Sequence, residues 1–316
     1  MEQTKKRSDF WYHVAAFAMI VVWGISFLNT RELLDAGMTP TEIFVARFTI
    51  AYLSLLVIGR FKVRFTGWRD ELLFVVCGVA GGSAYFIAEN TALELTLISD
   101  VAVLVSTAPL TTALMGAIFY RDERISLMTC IGMLIAFVGS VMLALKDGLV
   151  WGNSVLGDVL ALLAAFVWAF YSMALKKLNR SYTTLFITCK LFFYGVLSAL
   201  PLLLLENGHL SWNVIKQPVV WGNLLYLGLI CSMAAYFIWG ITVKRIGAVR
   251  ASNYFYLSPI ISMIAAAIWF GERTNAVAYA GCALIFAGVI IAEKFKRKPD
   301  SEKQNSTDES SVDPTL

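Results

Sequence analysis

Three charged side chains fall inside long apolar runs of this 316-residue chain. They are Arg47, Lys190 and Glu89, and they are the first places to look for chemistry. Ionisable groups within such runs are costly and rare, and they mark solute or ion pathways, or partners of one another. Arg47 and Lys190 each follow a threonine by six residues, Thr41 and Thr184. That puts each about 10 Å into its run at helical rise. A long basic side chain at that depth can also reach toward a headgroup or interfacial water. Their matched placement favours a structural or gating role over contact with a solute. Glu89, with Asn90 beside it, is the one acid deep in a run. A lone carboxylate there could bind a cationic group, carry a coupled proton, or pair with a buried cation such as Arg47. Glu94 and Asp100 flank a linker and are expected to be solvated.

Other chemistries lack their residues. The two histidines, His13 and His209, are far apart in the sequence, and none of the five cysteines forms a CxxC pair. Cysteines scattered through apolar runs suggest neither a disulfide frame nor a metal centre. The sequence has no HExxH, no GxSxG and no phosphate-cradling G-x-x-x-x-G-K-[ST] loop. No cofactor or metal is expected, an intramembrane enzyme is disfavoured, and ATP is not expected to drive the protein directly.

The elements that carry these residues follow from composition. Hydrophobic residues make up 58% of the chain and charged residues 15%. Soluble domains average about 45–50% and about 25%. A membrane-spanning helix needs about 20 mostly apolar residues. Ten runs qualify, at 14–28, 41–58, 72–93, 99–119, 127–145, 158–175, 184–205, 220–241, 249–270 and 275–292. Lys5, Lys6 and Arg7 before the first run resemble a secretory leader. No small-x-small cleavage site follows, so the run is expected to be retained. The polar, Ser/Asp/Glu-rich segment 293–316 is expected to be a disordered cytoplasmic tail.

Basic residues give the sidedness. Lys and Arg accumulate in cytoplasmic loops. Taken alternately, the termini and linkers hold 20 basic residues on one side and 4 on the other, Arg47 and Lys190 being the remaining two of 26. The alternation has no exception, which predicts ten spans with both termini in the cytoplasm. The net charge of +4 is then the residue of sidedness, not a basic face for nucleic acid.

The chain also repeats itself. Ala84-Tyr85-Phe86-Ile87 recurs as Ala235-Tyr236-Phe237-Ile238, Pro109 answers Pro259, and Trp23 answers Trp168. Glu123-Arg124 precedes Gly132 and Gly139 at the spacings by which Glu272-Arg273 precedes Gly281 and Gly288. Offsets stay within 143–151. Two halves of five spans each must insert with opposite orientation, an arrangement typical of secondary transporters. The glycine pairs, seven apart on one helix face, are expected to let two helices approach closely.

Ten spans, the repeat, and Trp23-Gly24, Arg47-Phe48, Pro109, Glu123, Pro259 and Glu272 at their positions make the chain resemble the EamA-type members of the drug/metabolite transporter superfamily. The resemblance runs from Phe10 to Ala292. It implies a bundle with a central cavity lined by spans 1, 3, 4, 6, 8 and 9, with spans 5 and 10 peripheral. Trp23, Tyr85, Trp168, Tyr236, Trp239, Asn253 and Tyr256 fall in those cavity spans. Aromatic walls with a few polar tips suit an amphipathic organic solute, although interfacial packing is also common for Trp and Tyr. Pro109 and Pro259 are candidate kinks, either flexing or static.

The fold expected is all-α and integral to the membrane. A cytoplasmic N-terminus at 1–13 precedes five-helix repeats at 14–145 and 158–292. The function expected is secondary transport of an amino acid, metabolite or toxic compound, outward, across a bacterial inner membrane. Glu89 is the candidate for any coupled proton. The alternatives are a sugar-phosphate or nucleotide-sugar exchanger, disfavoured because no basic cluster occupies the cavity spans, and a membrane enzyme or receptor. Substrate, coupling ion and oligomeric state are open at this stage.

Overall fold

Backbone groups in hydrocarbon have no water to bond, so a chain this apolar must satisfy them in helices or a closed barrel. The computed structural model takes the first course, with no strand among the described residues. It describes residues 2–59, 64–119, 126–144, 154–206, 214, 216–270 and 275–294. In order the helices are α1 Glu2–Asp35, α2 Pro40–Gly59, α3 Trp68–Gly78, α4 Ala84–Leu95, α5 Ile98–Val105, α6 Ala108–Phe119 and α7 Leu127–Ala144. There follow α8 Val155–Leu178, α9 Thr184–Leu205, α10 Pro218–Leu225, α11 Ala235–Ile246, α12 Ala248–Asn253, α13 Ser258–Phe270 and α14 Ala276–Lys294.

Local chemistry sets the starts. α2 opens on a reciprocal cap: Thr39 N–H donates to Glu42 Oε2 at 2.9 Å, and Glu42 N–H donates to Thr39 Oγ1 at 3.2 Å. Pro40, with no N–H to satisfy, holds the first helical position. Ser154 accepts from Gly157 N–H at the start of α8, and Thr183 from Phe186 N–H at the start of α9. Gly247, at φ 91°, ends α11 and opens α12, a left-handed position that favours glycine.

Eight helical segments are long and apolar enough to cross a membrane: Phe10–Asp35, Pro40–Ile58, Trp68–Leu95, Asp100–Phe119, Val155–Leu178, Thr184–Leu205, Pro218–Ile246 and Ala248–Trp269. The remaining two apolar runs fall on α7 and α14, whose apolar stretches are shorter. Leu53, Leu114, Ile118, Leu134, Leu162, Ile268 and Ile290 point outward and are exposed. A water-soluble surface does not carry apolar area on this scale.

Four runs that read as continuous helices are interrupted. Trp68–Leu95 widens to a π-helical stretch at Val79–Ser83, and Pro218–Ile246 does so at Tyr226–Ala234. Both wide stretches end immediately before the Ala-Tyr-Phe-Ile tetrapeptide. Nothing in hydropathy reports a change of helical register, so the sequence reading missed them. The fourth and ninth runs break just before their prolines. Ser106 and Thr107 form a turn between α5 and α6, and a 3₁₀ turn at Tyr254–Leu257 lies between α12 and α13. Proline cannot donate the backbone bond and crowds the preceding turn. Ser106 Oγ donates to Val103 O, and Thr107 Oγ1 to Leu104 O, covering carbonyls that the break releases.

Helix boundaries also move charged residues out of the expected linkers, among them Lys176 and Lys177, which end α8. α3 starts at Trp68 rather than 72, bringing Asp70 and Glu71 into a helix. α11 runs to Ile246, so Lys244 and Arg245 form its last turn. Glu123-Arg124, Glu272-Arg273 and the segment 295–316 lie outside the described residues.

In the packing, α2 lies against α9 and the wide stretch at Tyr226–Ala234. α1 lies against α11 and α13, and α8 against α4 and α6. α7 and α14 pack chiefly on each other. A Cβ on Gly132 would come 2.5 Å from Ala292 N and 2.6 Å from Gly288 O, and one on Gly139 2.6 Å from Gly281 O. Gly132, Gly139 and Gly288 therefore let two backbones touch, as the glycine spacing predicts.

Candidate functional site

Helical spacing gathers the aromatic residues. Trp168 and Tyr171 are three apart on α8, Tyr236 and Trp239 three apart on α11, and Tyr85 and Glu89 four apart on α4. Each pair therefore shares a helix face. These faces converge on Trp23 of α1. Its ring centroid lies 5.6 Å from Trp168, 5.8 Å from Tyr236, 5.2 Å from Trp239 and 5.7 Å from Phe255. Tyr85 meets Trp168 at 5.0 Å. Most contacts are edge-to-face or tilted, the geometry favoured by ring quadrupoles. All these rings are buried.

The two wide helical stretches feed this cluster. A π-helical turn lengthens the backbone bond and releases carbonyls from regular pairing. Tyr236 Oη donates to Gly81 O at 2.6 Å, and Trp23 Nε1 donates to Cys231 O at 2.9 Å. Each acceptor lies within one of the wide stretches. Gly81 must be glycine, because a Cβ there would run into the Tyr171 ring.

Two polar groups of the cluster, Trp168 Nε1 and Trp239 Nε1, are buried with no hydrogen-bond partner, as is Tyr256 Oη in the broken segment nearby in sequence. Native interiors rarely leave such groups unmet, so the two unpaired indole donors suit a site that awaits an acceptor.

The three intramembrane charges, similar in sequence, have different surroundings. Lys190 on α9 makes a buried ion pair with Glu71 on α3. Tyr194 Oη donates to the same carboxylate at 2.5 Å and Thr66 N–H at 2.9 Å. The ammonium also lies 4.7 Å from the Phe74 ring and 5.2 Å from Phe186. Beside this group, in the loop between α8 and α9, Tyr182 donates to Asp70 at 2.5 Å. That bond holds the Tyr182 phenol above its ordinary pKa. Glu71 falls one residue outside the apolar run at 72–93. Its one signal in the sequence is an acid in the first turn of an apolar helix, a position that hydropathy assigns to water.

Arg47 has no carboxylate partner among the described residues. Its Nε donates to Ser232 Oγ at 3.0 Å, and the guanidinium carbon sits 4.3 Å from the Phe86 ring centroid. Both terminal nitrogens are buried without a partner. Glu89 accepts from Tyr85 Oη at 2.5 Å. The expected alternative of an Arg47–Glu89 pair does not form: Tyr85 meets the carboxylate, and Ser232 meets the cation. The neighbouring Asn90 donates to Pro40 O at 3.1 Å and so ties α4 to the start of α2.

Trp23, Tyr85, Trp168, Tyr236 and Trp239 are thus brought together, with Glu89 attached through Tyr85. Asn253 and Tyr256 are buried in the broken segment around the 3₁₀ turn. Tyr256 makes no ring contact with the cluster among the described residues, whereas its neighbour Phe255 does. Phe255, Tyr171, Phe86, Phe48 and Phe192 also make ring contacts with the cluster, and sequence reasoning assigned none of them to a site. Pro109 and Pro259 each sit second in the helix that follows a break. Lys190 stands apart from the cluster in its own pair.

Comparison with known proteins agrees with this architecture. The chain is 29% identical over 277 residues to a probable terminal-alkyne amino-acid exporter of Streptantibioticus cattleyicolor, covering 87% of this chain and 91% of that one. It is 26% identical over 285 residues to a probable amino-acid metabolite efflux pump of Salmonella typhimurium, covering 87% and 92%. A crystal structure with 20% identity superposes with a TM-score of 0.70 over 89% of this chain and 96% of that one, showing a shared fold. The EamA-like transporter family model matches residues 10–145 and again 155–293, so the chain belongs to the EamA-like transporter family and is a membrane transporter.

Proposed function

We propose that the protein exports a small amphipathic organic solute, of the amino-acid class named for its relatives, by alternating access. One observation carries the reading. A buried aromatic cluster, drawn from Trp23 and Tyr85 in the first half and Trp168, Tyr236, Trp239 and Phe255 in the second, adjoins unpaired buried donors and the Glu89 carboxylate. A site shared between two half-bundles changes its exposure when one half rocks against the other.

In this reading α7 and α14 also cross the bilayer. With 18 and 19 helical residues they span about 27–29 Å at helical rise, close to the ~30 Å hydrocarbon core. The ten spans then form inverted repeats at 14–145 and 158–292. Positive-inside sidedness puts both termini in the cytoplasm of a bacterial inner membrane. The breaks before Pro109 and Pro259 are where half-helices pivot. Arg47 and Lys190 hold inverted positions, and Lys190 with Glu71 closes the cytoplasmic end of α3 and α9. Glu89 carries a proton if one is coupled.

Counterflow in proteoliposomes tests the reading, using labelled amino acids and metabolites inside and outside. Exchange of at least one solute class is expected. Glu89→Gln is expected to remove the pH dependence of uptake while the protein still inserts and folds. Transport with an unchanged pH profile in that variant removes Glu89 from proton coupling, and failure of every solute counts against transport itself.

A further inference from the structure

Arg47 is a buried cation whose surroundings are incomplete. The residue is fully buried, at 0% exposure, and its Nε is satisfied by Ser232. Nη1 and Nη2 have no partner. The Phe86 face, 4.3 Å from the guanidinium carbon, holds the head group in place without accepting a hydrogen bond. Desolvating a guanidinium and leaving two of its nitrogens unmet is unfavourable. Two terminal nitrogens on a rigid fork match one planar carboxylate, which can take both at once. Lys190 shows how this chain completes a buried cation when no ligand is intended: Glu71 supplies the carboxylate from within the protein. Opposite Arg47 the corresponding helix supplies the Ser232 hydroxyl and, among the described residues, no carboxylate.

Glu89 supplies the other sign. Phe86 and Glu89 are three residues apart on α4, on one helix face. The Glu89 carboxylate is therefore near the ring that positions Arg47, although the two charges do not pair. Tyr85 takes Oε1. A carboxylate has about four acceptor sites, so Oε2 and a second lone pair on Oε1 remain to receive a donor. Both charges come from the first half of the chain. Lys190, at the place corresponding to Arg47, is already paired, and the counterpart of Glu89 is Gly240, which the repeat offset assigns. The cluster is consequently polar in one direction, with Trp168, Tyr236 and Trp239 of the second half forming an aromatic wall beside it.

We propose that Arg47 binds the carboxylate of the transported solute and Glu89 its ammonium, with the side chain of the solute against Trp23, Trp168 and Trp239. The ligand is a zwitterionic α-amino acid with an aromatic or large apolar side chain. This assignment rests on the transporter reading above and adds the orientation of the bound molecule.

The test uses the full-length protein in detergent, with binding read as a ligand-dependent rise in melting temperature. L-Phenylalanine, L-phenylalaninamide and 3-phenylpropionate are titrated, so that each charge of the ligand is removed in turn. The wild type is expected to bind the amino acid at least about tenfold more tightly than either analogue, the value of one charge-assisted hydrogen-bond pair. Arg47→Gln is expected to erase the preference over the amide while keeping the preference over 3-phenylpropionate, and Glu89→Gln is expected to do the reverse. Arg47→Lys, which keeps the charge but not the fork, is expected to retain a reduced acid preference. It covers the case in which Arg47→Gln does not fold. Equal binding of acid and amide by the wild type overturns the assignment. So does an equal loss for all three ligands in Arg47→Gln, which a purely structural role predicts. A protein that exchanges other solutes in counterflow but does not bind L-phenylalanine refutes the zwitterion site and leaves the transporter reading standing. Absence of counterflow with every solute and of binding with all three ligands refutes both.

Discussion

Removing Glu71 should damage the protein more than removing Lys190, and removing both should restore most of the loss. The two are 5% and 1% exposed, so neither charge is shielded by bulk water. Glu71→Leu strands the Lys190 ammonium between the Phe74 and Phe186 rings. Breaking a buried pair in this way costs about 3–5 kcal/mol. Lys190→Met leaves a carboxylate that still receives Tyr194 Oη and the Thr66 N–H and hydroxyl. Its expected cost is therefore smaller, about 1–3 kcal/mol. The double variant Glu71→Leu/Lys190→Met has no buried charge, and isosteric apolar replacement of such pairs is often close to neutral. Reversible unfolding in mixed detergent micelles, followed by tryptophan fluorescence, measures all four corners of the cycle. A double variant as unstable as the sum of the singles would refute the reasoning. So would Lys190→Met being the worse of the two, because the hydrogen bonds from Tyr194 and Thr66 would then carry no weight.

Three further outcomes follow from particular contacts. Gly288→Ala forces a Cβ against the α7 backbone at Gly132 and Ala136. It is expected to lower stability by about 1–3 kcal/mol, measured by the same unfolding assay, with ligand discrimination unchanged because α7 and α14 lie outside the aromatic cluster. Tyr256→Phe removes a buried hydroxyl that has no partner. It is expected to raise the stability of the ligand-free protein by about 1 kcal/mol, and a loss of that size would mean that the hydroxyl is satisfied. Tyr182 has a raised pKa because it donates to Asp70. The stability it contributes is therefore complete below the unfolded phenol pKa near 10 and disappears as pH climbs through the raised folded value. Difference absorbance against Tyr182→Phe should show this phenol ionising later than exposed tyrosines.

Hydropathy was enough to place the helices, because lipid demands apolar faces over a set length and α1 to α14 all lie on runs that meet or approach it. The glycines seven apart on α7 and on α14 predicted close helix approach, but not that these two helices are each other's partners. Register changes were not legible. The wide stretches at Val79–Ser83 and Tyr226–Ala234 carry no proline, and their apolar and small residues do not distinguish a widened helix from a regular one. Their cause lies in what donates to the released carbonyls, namely Tyr236 and Trp23 from other helices. Glu71 was missed for a related reason. A scan that trims a helix to its apolar residues discards the acid at its edge, and the burial of that acid depends on Lys190, which lies 119 residues away.

The same scan treated Arg47 and Lys190 as equivalents, and spacing gives no ground to separate them. What separates them is the partner helix. Opposite Lys190 the chain places the Glu71 carboxylate, itself held by the Tyr194 phenol and the Thr66 N–H, so that cation is neutralised within the fold and its side chain serves cohesion. Opposite Arg47 it places Ser232, and two nitrogens are left over. A repeated fold can keep its geometry while one copy of a buried charge is given a partner and the other is not. The unpartnered copy is where a ligand adds most to stability, since binding then supplies the hydrogen bonds that folding left unmade. On that reasoning the functional asymmetry of this bundle resides in the residues facing its two buried cations, and substitutions at Ser232 should alter solute binding more than substitutions at Tyr194.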